Sequence, residues 1–326
     1  MSTLEKINVG VVGVCGAIGR GAGMVGSINT AEPMQVTAVC DVDAEKLEET
    51  RAKLDVPQAY TDYDEMLDKA DIDAVFIATP MHLHVPQSIA ALEKGIHVLC
   101  EVTAAVAVDE CKDLVAACKA SDAVYMMAEN YNYDWHVVVV RQMVLQGLFG
   151  TPYYAEGGYV AEIKGLVNST PWRRKWQLGI SGNTYVTHNL GPMLEWMPGQ
   201  RVTRVCCIGG GHRYSDDDGT PFGAEAGNTM LCKTSDDGQM DIRCDFLSDR
   251  PGAGVFNCLQ GTEGSYQSPR FPGDPHRIWL AGRSDDGQWA DLQDIGDAFL
   301  PEYWTEAVAK GLPAGGAYFQ CAWFAE

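Results

Sequence analysis

The stretch Ile7-Asn8-Val9-Gly10-Val11-Val12-Gly13-Val14-Cys15-Gly16-Ala17-Ile18-Gly19 decides the fold. Ile7–Val14 is a short apolar run closed by glycines, which reads as a buried strand. Gly13, Gly16 and Gly19 follow with the spacing G-x-x-G-x-x-G, one residue longer than G-x-G-x-x-G. Glycines there let a backbone approach a pyrophosphate, which then sits on the positive N-terminus of the next helix. Ile18 lies inside that turn. A glycine turn alone is a weak signal, because purely structural turns use the same residues. The context strengthens it: a strand stands before, a helix after, and Asp41 closes a second strand 22 residues past Gly19. A carboxylate at about that distance is the group that binds a ribose hydroxyl, and it would repel a 2′-phosphate. The cofactor read from these residues is therefore NAD rather than NADP. The alternative is a structural glycine turn with Asp41 as a helix cap.

Outward from this stretch the chain alternates. Strands are expected at Met34–Asp41, Ala74–Thr79, Ile96–Glu101 and Val124–Ala128. Helices are expected at Ala44–Lys53, Tyr63–Lys69, Val85–Lys94 and Val108–Ala120. Continuous apolar strands alternating with amphipathic helices make a parallel sheet covered on both faces, the doubly wound α/β class. Ligands of such sheets bind at the carboxyl ends of the strands. Three strand ends carry polar groups: Thr79-Pro80-Met81-His82-Leu83-His84, Cys100-Glu101-Val102-Thr103 and Glu129-Asn130-Tyr131-Asn132-Tyr133. Helix capping and loop polarity would also account for them, above all for His82. His97, in mid-strand, reads as simply packed. Beyond about residue 129 the strands lengthen and gain aromatics: Thr151–Ala161, Val202–Gly209, Thr229–Lys233 and Gln239–Phe246. Asp236-Asp237-Gly238 marks a hairpin turn between the last two. The division expected is a doubly wound domain over 1–128 and an α+β domain with a largely antiparallel sheet over 129–326.

The 326 residues carry 44 acidic against 24 basic side chains, a formal charge of -20. Such a surface repels phosphate backbones, so nucleic acid is not an expected partner. No apolar run reaches the ~18 residues of a membrane span. The densest acidic patch, Ser215-Asp216-Asp217-Asp218, reads as a solvated loop. Eleven cysteines show no C-x-x-C pair, and Cys15, Cys40, Cys100 and Cys206 sit in apolar, strand-like runs. They are expected to be buried free thiols, which, with no signal peptide ahead of the first strand, points to a cytoplasmic protein. No Cys/His spacing calls for a metal.

The glycine loop, Val39-Cys40-Asp41-Val42-Asp43, Ile77–His84 and Gly95–Glu101 resemble the Gfo/Idh/MocA family of nicotinamide-dependent sugar oxidoreductases. The resemblance continues through the second domain to about residue 320. That family reads Glu-Lys-Pro at the strand end, with the lysine as catalytic acid/base; this chain reads Glu101-Val102-Thr103, and valine cannot move a proton. Glu-Val is similar to the glycoside hydrolase family 109 branch, whose members include α-N-acetylgalactosaminidases. Met127–Tyr133, Gly147–Gly158, Pro171–Arg174 and Asn183–Pro192 are similar to that branch too.

The resemblance implies a Rossmann domain followed by an α+β domain. It implies NAD contacts from Asp41, the Met81–His84 segment, Glu101 and Asn130. Sugar contacts would come from Tyr159, Arg173 and the Tyr185–His188 segment, with Tyr266 on a looser alignment. It further implies a homo-oligomer, formed through the second-domain sheet, and a sugar or glycoside as substrate. Two departures stand out. Family members carry Gly-His-Gly-Gly where this chain has Pro313-Ala314-Gly315-Gly316. The chain also ends inside an apolar run, Tyr318–Phe324, which suggests a truncated C-terminus.

Hydride transfer from a sugar hydroxyl needs a base. His188 is the first candidate, because imidazole titrates near pH ~6.5. Tyr185, three residues earlier, could share its face, and Tyr133 is a second phenol. A hydrogen-bonded histidine at a helix start and a core tyrosine are the alternatives. The nicotinamide is expected opposite the Tyr185–His188 segment. In the family 109 branch bound NAD is used and regenerated: oxidation at C3 acidifies the C2 proton, the C1 substituent leaves by elimination, and water adds back. The second domain offers no persuasive pair of carboxylates for ordinary glycoside hydrolysis. Net sugar or polyol dehydrogenase and inactive sugar- or NAD-binding homologue remain as alternatives.

Overall fold

A computed structural model describes residues 6–252, 254–285 and 287–326. The chain divides into two compact units, Met1–Glu129 with Ala317–Glu326, and Asn130–Gly316.

The first unit holds six parallel strands: β1 (Ile7–Val12), β2 (Met34–Cys40), β3 (Gln58–Tyr60), β4 (Ala74–Ile77), β5 (His97–Glu101) and β6 (Tyr125–Ala128). Their order is β3-β2-β1-β4-β5-β6, with the switch point between β1 and β4. This is the dinucleotide-binding order. Five helices alternate with the strands: α1 (Arg20–Thr30), α2 (Ala44–Leu54), α3 (Tyr63–Lys69), α4 (His84–Glu93) and α5 (Val108–Ala120). Sequence-coded caps start two of them. The Asp43 carboxylate accepts the Lys46 N–H and opens α2, and the Asp62 carboxylate does the same for Glu65 at α3. Two apolar clusters cover the sheet. Met24, Val25 and Ile28 of α1 pack with Val9, Val11 and Phe76; Val85 and Leu92 of α4 pack with Val75, Ile77 and Val98. Val75, Phe76 and Ile77 are fully buried, as strands sandwiched between helix layers must be.

The second unit carries an eight-stranded sheet: β7 (Pro152–Val160), β8 (Val202–Gly209), β9 (Asn228–Thr234), β10 (Gln239–Asp245), β11 (Gly254–Gly261), β12 (Gly264–Gln267), β13 (Arg277–Leu280) and β14 (Ala290–Asp291). Its order is β14-β13-β12-β11-β7-β10-β9-β8. Every pairing is antiparallel except β7 with β10. The β9–β10 hairpin turns at Asp237, whose φ is 59°. Among the described residues this unit carries the helices α6 (Trp135–Leu145), α7 (Leu166–Ser169), α8 (Arg173–Trp176), α9 (Thr187–Trp196), α10 (Leu292–Ile295) and α11 (Glu302–Ala309). Val137, Val139 and Met143 of α6 and Met193 and Trp196 of α9 form a core with Ile242, Leu259 and Tyr266 of the sheet.

The last helix, α12 (Gly316–Ala325), returns the chain to the first unit. Cys321 is fully buried among Met24, Val25 and Ile28, and the Gln320 amide reaches Met24 Sδ at 3.7 Å. The apolar run Tyr318–Phe324 thus packs against α1 and its neighbours.

The cysteine expectation is corrected in part. Cys40 and Cys100 are buried and their thiols pushed up to about 12 by burial, so they stay protonated. Cys15, in the glycine loop, is only half-buried. Cys206 is exposed, together with Cys207, because β8 is an edge strand with both faces open over most of its length. Strand-like apolar sequence does not reveal whether a strand is interior or at an edge. Among the described residues no group of three or more His, Cys, Asp or Glu could hold a metal ion, and no helix is long and apolar enough to cross a membrane.

Candidate functional site

The first unit presents a dinucleotide cradle. Gly13, just past β1, has φ 86°, and a Cβ there would stand 2.6 Å from the Ala78 carbonyl oxygen beyond β4. A Cβ on Gly21 would stand 2.5 Å from the Gly13 carbonyl oxygen. These two glycines seat α1 against the loop. Gly16 and Gly19 differ: nothing lies within 4 Å of a Cβ on either. Gly19 is the left-handed N-cap of α1 and offers no side-chain acceptor to the first-turn N–H groups. An open backbone loop leading into an uncapped helix start suits a pyrophosphate. Ile18, in the loop, is 51% exposed.

Asp41 shapes the loop from the next strand. One carboxylate oxygen accepts the Cys15 N–H at 2.7 Å, and the other accepts the Asp43 N–H at 3.1 Å. The carboxylate is thereby fixed beside the middle of the glycine loop.

The other strand ends carry the remaining candidates. Thr79 donates its hydroxyl to the Gln87 side chain at 2.6 Å, and Pro80 precedes a single 3₁₀ turn at Met81–Leu83. Met81 is buried and His82 half-buried. His84 is 1% exposed, and its two ring nitrogens face the carbonyl oxygens of Thr103 and Thr79. Burial holds its pKa below the usual imidazole range, against those two carbonyls, which favour the charged form. Glu101, at the end of β5, is 8% exposed and accepts from Arg20 Nε at 2.5 Å. Sequence reasoning misses Arg20. Its place as the first residue of α1, directly after the last glycine of the loop, is the available signal. His97 accepts the Val124 N–H at Nδ1 and is a packing residue between β5 and the approach to β6.

The second unit gathers a polar aromatic cluster. Tyr159 comes from β7, Tyr185 from the loop before α9, and His188 from the first turn of α9. Ring centroids are 5.2 Å apart for Tyr185–His188, 5.7 Å for Tyr159–His188 and 6.1 Å for Tyr159–Tyr185. Phe246 closes the base, 5.0 Å from Tyr159 and 5.9 Å from Tyr185. Arg173, the first residue of α8, donates Nε to the Thr170 hydroxyl at 3.0 Å and a second N–H to Gln177 Oε1, and lies 4.4 Å over the Trp172 ring. It is also close enough to Tyr159 and Tyr185 to interact electrostatically with both phenols. Burial pushes the Tyr159 phenol up, and nearby Arg173 opposes this.

Four of the sugar-contact candidates thus come together: Tyr159, Arg173, Tyr185 and His188. Tyr133 is half-buried in the short turn Asn130–Tyr133, but the ring that lies flat on His188 belongs to Tyr131, 4.2 Å away. Nothing in the sequence separates Tyr131 from Tyr133, two residues later in the same turn. Asn130 opens that turn, in the second unit. Tyr266 lies elsewhere: it is fully buried in the sheet core, packed against Trp196 and hydrogen-bonded through its hydroxyl to His276 at 2.7 Å. The structure does not bring it to the Tyr159 cluster.

Comparison with known proteins decides the family. Residues 7–129 match the profile of the Gfo/Idh/MocA oxidoreductases, an NAD-binding Rossmann fold. A glycosyl hydrolase family 109 protein of Shewanella pealeana is 31% identical over 317 residues, which cover 88% of this chain and 68% of that one. The chain belongs to the Gfo/Idh/MocA family, in its glycosyl hydrolase family 109 branch. An α-N-acetylgalactosaminidase of Shewanella oneidensis is 30% identical to this family 109 chain, the match covering 98% of it and 76% of the relative. Among solved structures, levoglucosan dehydrogenase in complex with NADH superposes with a TM-score of 0.74 at 20% identity, over 98% of this chain and 94% of that one. The myo-inositol 2-dehydrogenase of Lactobacillus plantarum gives 0.69 at 19% identity over 98% and 94%. At such identities these two speak for the fold.

The cofactor of this family 109 chain is NAD. The open loop at Gly16 and Gly19, the uncapped α1 and the fixed Asp41 carboxylate fit it.

Proposed function

We propose that this protein is an NAD-dependent enzyme acting on a sugar or glycoside at a ring hydroxyl, with redox-neutral elimination and hydration that cleave a glycosidic bond. The observation that carries the reading is the cluster of Tyr159, Tyr185 and His188 beside Arg173. Clustered aromatic rings with a cation beside them recognise the apolar faces and hydroxyls of a sugar ring. The relatives named glycosyl hydrolase family 109 support the glycoside.

When bound, NAD supplies acceptance of a hydride from the ring carbon and its return. The remaining work falls to this chain. His188 takes the hydroxyl proton as general base, and Tyr185 beside it polarises the same oxygen. Tyr133 is the reserve phenol, from the turn that also carries Tyr131. Tyr159 and Arg173 hold the ring, so that the reacting bond is oriented rather than merely bound. Once the hydroxyl carbon is a ketone, the neighbouring C–H is acidified: a base removes that proton, the electron pair forms the C1–C2 double bond, the C1 substituent leaves with a proton, and water adds back across the double bond before the ketone is reduced again. Val102, where the family carries lysine, is buried and moves no proton. This favours His188 as the proton acceptor and weighs against the net dehydrogenase of that lysine-bearing pattern.

The test begins with mass spectrometry of the native protein for retained NAD. It continues in deuterated water with a panel of aryl glycosides that includes N-acetylgalactosaminides. Aglycone release with deuterium at C2 and no NADH accumulation supports the proposal. Steady NADH accumulation with free sugars would establish the dehydrogenase instead. NAD retention with neither signal would mark an inactive sugar- or NAD-binding homologue.

A further inference from the structure

His84 opens α4, directly behind the 3₁₀ turn that follows β4, and its ring is buried. Nε2 lies 2.9 Å from the carbonyl oxygen of Thr79, at the exit of β4, and Nδ1 lies 2.8 Å from that of Thr103, at the exit of β5. The two exits are adjacent because β4 and β5 pair in parallel. Thr79 is held a second time, through its hydroxyl on Gln87 one turn further along α4. The backbone at Ala78–Thr79 is also the wall against which the glycine loop rests: a Cβ on Gly13 would stand 2.6 Å from the Ala78 carbonyl oxygen and 3.0 Å from the Thr79 nitrogen. One side chain therefore lies within hydrogen-bond distance of the exits of two strands and, through Thr79, beside the wall of the glycine loop. A ring 1% exposed leaves no face for a cofactor.

We infer that His84 is a positioning residue for NAD: it straps the exits of β4 and β5 together and, through the Thr79 backbone, holds the glycine loop in the shape that receives the pyrophosphate. Both carbonyls are acceptors. The imidazole places its ring nitrogens within hydrogen-bond distance of both, at 2.8 and 2.9 Å. A neutral imidazole donates to one of the two at a time, and a protonated ring donates to both. A packing residue of equal volume donates to neither. The cofactor cradle is thus shaped before NAD arrives, which lowers the cost of ordering it on binding.

The test compares full-length wild type with His84→Leu and His84→Gln, each stripped of NAD. NAD⁺ affinity is measured by calorimetry, and backbone hydrogen exchange by mass spectrometry. Leucine keeps the bulk and removes every donor; the glutamine amide restores N–H groups. His84→Leu is expected to raise the NAD⁺ Kd about tenfold, as the loss of a buried hydrogen bond implies. It is also expected to speed exchange at residues 78–83 and 102–106 in the NAD-free protein. His84→Gln is expected to recover part of both. Wild-type Kd in both variants overturns the inference. So does a weakened Kd with unchanged exchange at 102–106, which would mean that the histidine does not act through the exit of β5. If His84→Leu does not fold, His84→Gln carries the test. Kd and exchange at 102–106 rising together then support the strap; a wild-type Kd, or a raised Kd without faster exchange, overturns it.

Discussion

The ring of Tyr131 lies flat against that of His188, with 4.2 Å between centroids and 28° between planes. The contact joins the turn at Asn130–Tyr133 to the first turn of α9 and fixes the direction in which the imidazole points. A flat aromatic contact of this kind contributes ~0.5–1.5 kcal/mol beyond simple burial. Tyr131→Leu is expected to lower kcat on a cleaved aryl glycoside several-fold, and Tyr131→Phe to leave it near wild type. Steady-state kinetics on the two variants check this; equal rates would show that the stack does not orient a working base.

The glycine loop separates folding from binding. Gly13 has a positive φ, and a methyl group added there would meet backbone at 2.6 Å, so Gly13→Ala strains the loop itself. Its melting temperature is expected to drop along with NAD affinity. Gly16 has open space, so Gly16→Ala is expected to keep the melting temperature; if the pyrophosphate approaches this loop, the added methyl is expected to weaken NAD binding. Thermal melts with and without NAD⁺ separate the two effects.

Asp41 has both carboxylate oxygens engaged by backbone N–H groups of the loop and of the turn after β2. Asp41→Ala is expected to raise the Kd for NAD⁺ by about tenfold or more and to narrow the preference for NAD⁺ over NADP⁺, since the charge that repels a 2′-phosphate is gone. Calorimetric titration with both nucleotides checks it.

Two histidines pack together in the second unit. His136 packs 4.8 Å from His276, and burial with the neighbouring imidazole holds its pKa down to about 3. In the unfolded chain a histidine titrates near ~6.5. Between these values the unfolded state binds more protons, so stability is full above about pH 6.5 and is lost as pH falls toward 3. The slope is at most ~1.4 kcal/mol per pH unit for one such group. Urea melts from pH 8 to 4 are expected to show this decline, and His136→Phe to flatten it.

Tyr266 shares a hydrogen bond with His276 inside the same core. Tyr266→Phe is expected to cost about 1 kcal/mol of stability and to leave sugar kinetics unchanged. A raised KM with an unchanged melting temperature would return Tyr266 to the sugar site.

Much of the first unit is legible in the sequence, because parallel strands buried on both faces leave unbroken apolar runs such as Ala74-Val75-Phe76-Ile77. The pattern predicts α3 and α5 to their observed ends. Strand β3 escapes it: three residues, partly exposed, give no periodic signal. Exposure at Cys206 is hidden because position within a sheet is a long-range property. The site shows the same division. Asp41 and the glycines announce themselves by spacing, whereas the choice between Tyr131 and Tyr133 depends on the phase of one short turn. The burial of Tyr266 depends on which face of β12 meets α9. Local pattern encodes elements; which side chain turns inward is settled by packing partners far away in the chain.

The first unit is discontinuous, and Cys321 near the end of the chain completes the packing around Met24 near its beginning. During synthesis the nucleotide-binding half therefore waits, with one flank of α1 uncovered, while the entire second unit is translated and folds. Chaperone demand should accordingly fall on the part of the protein made first.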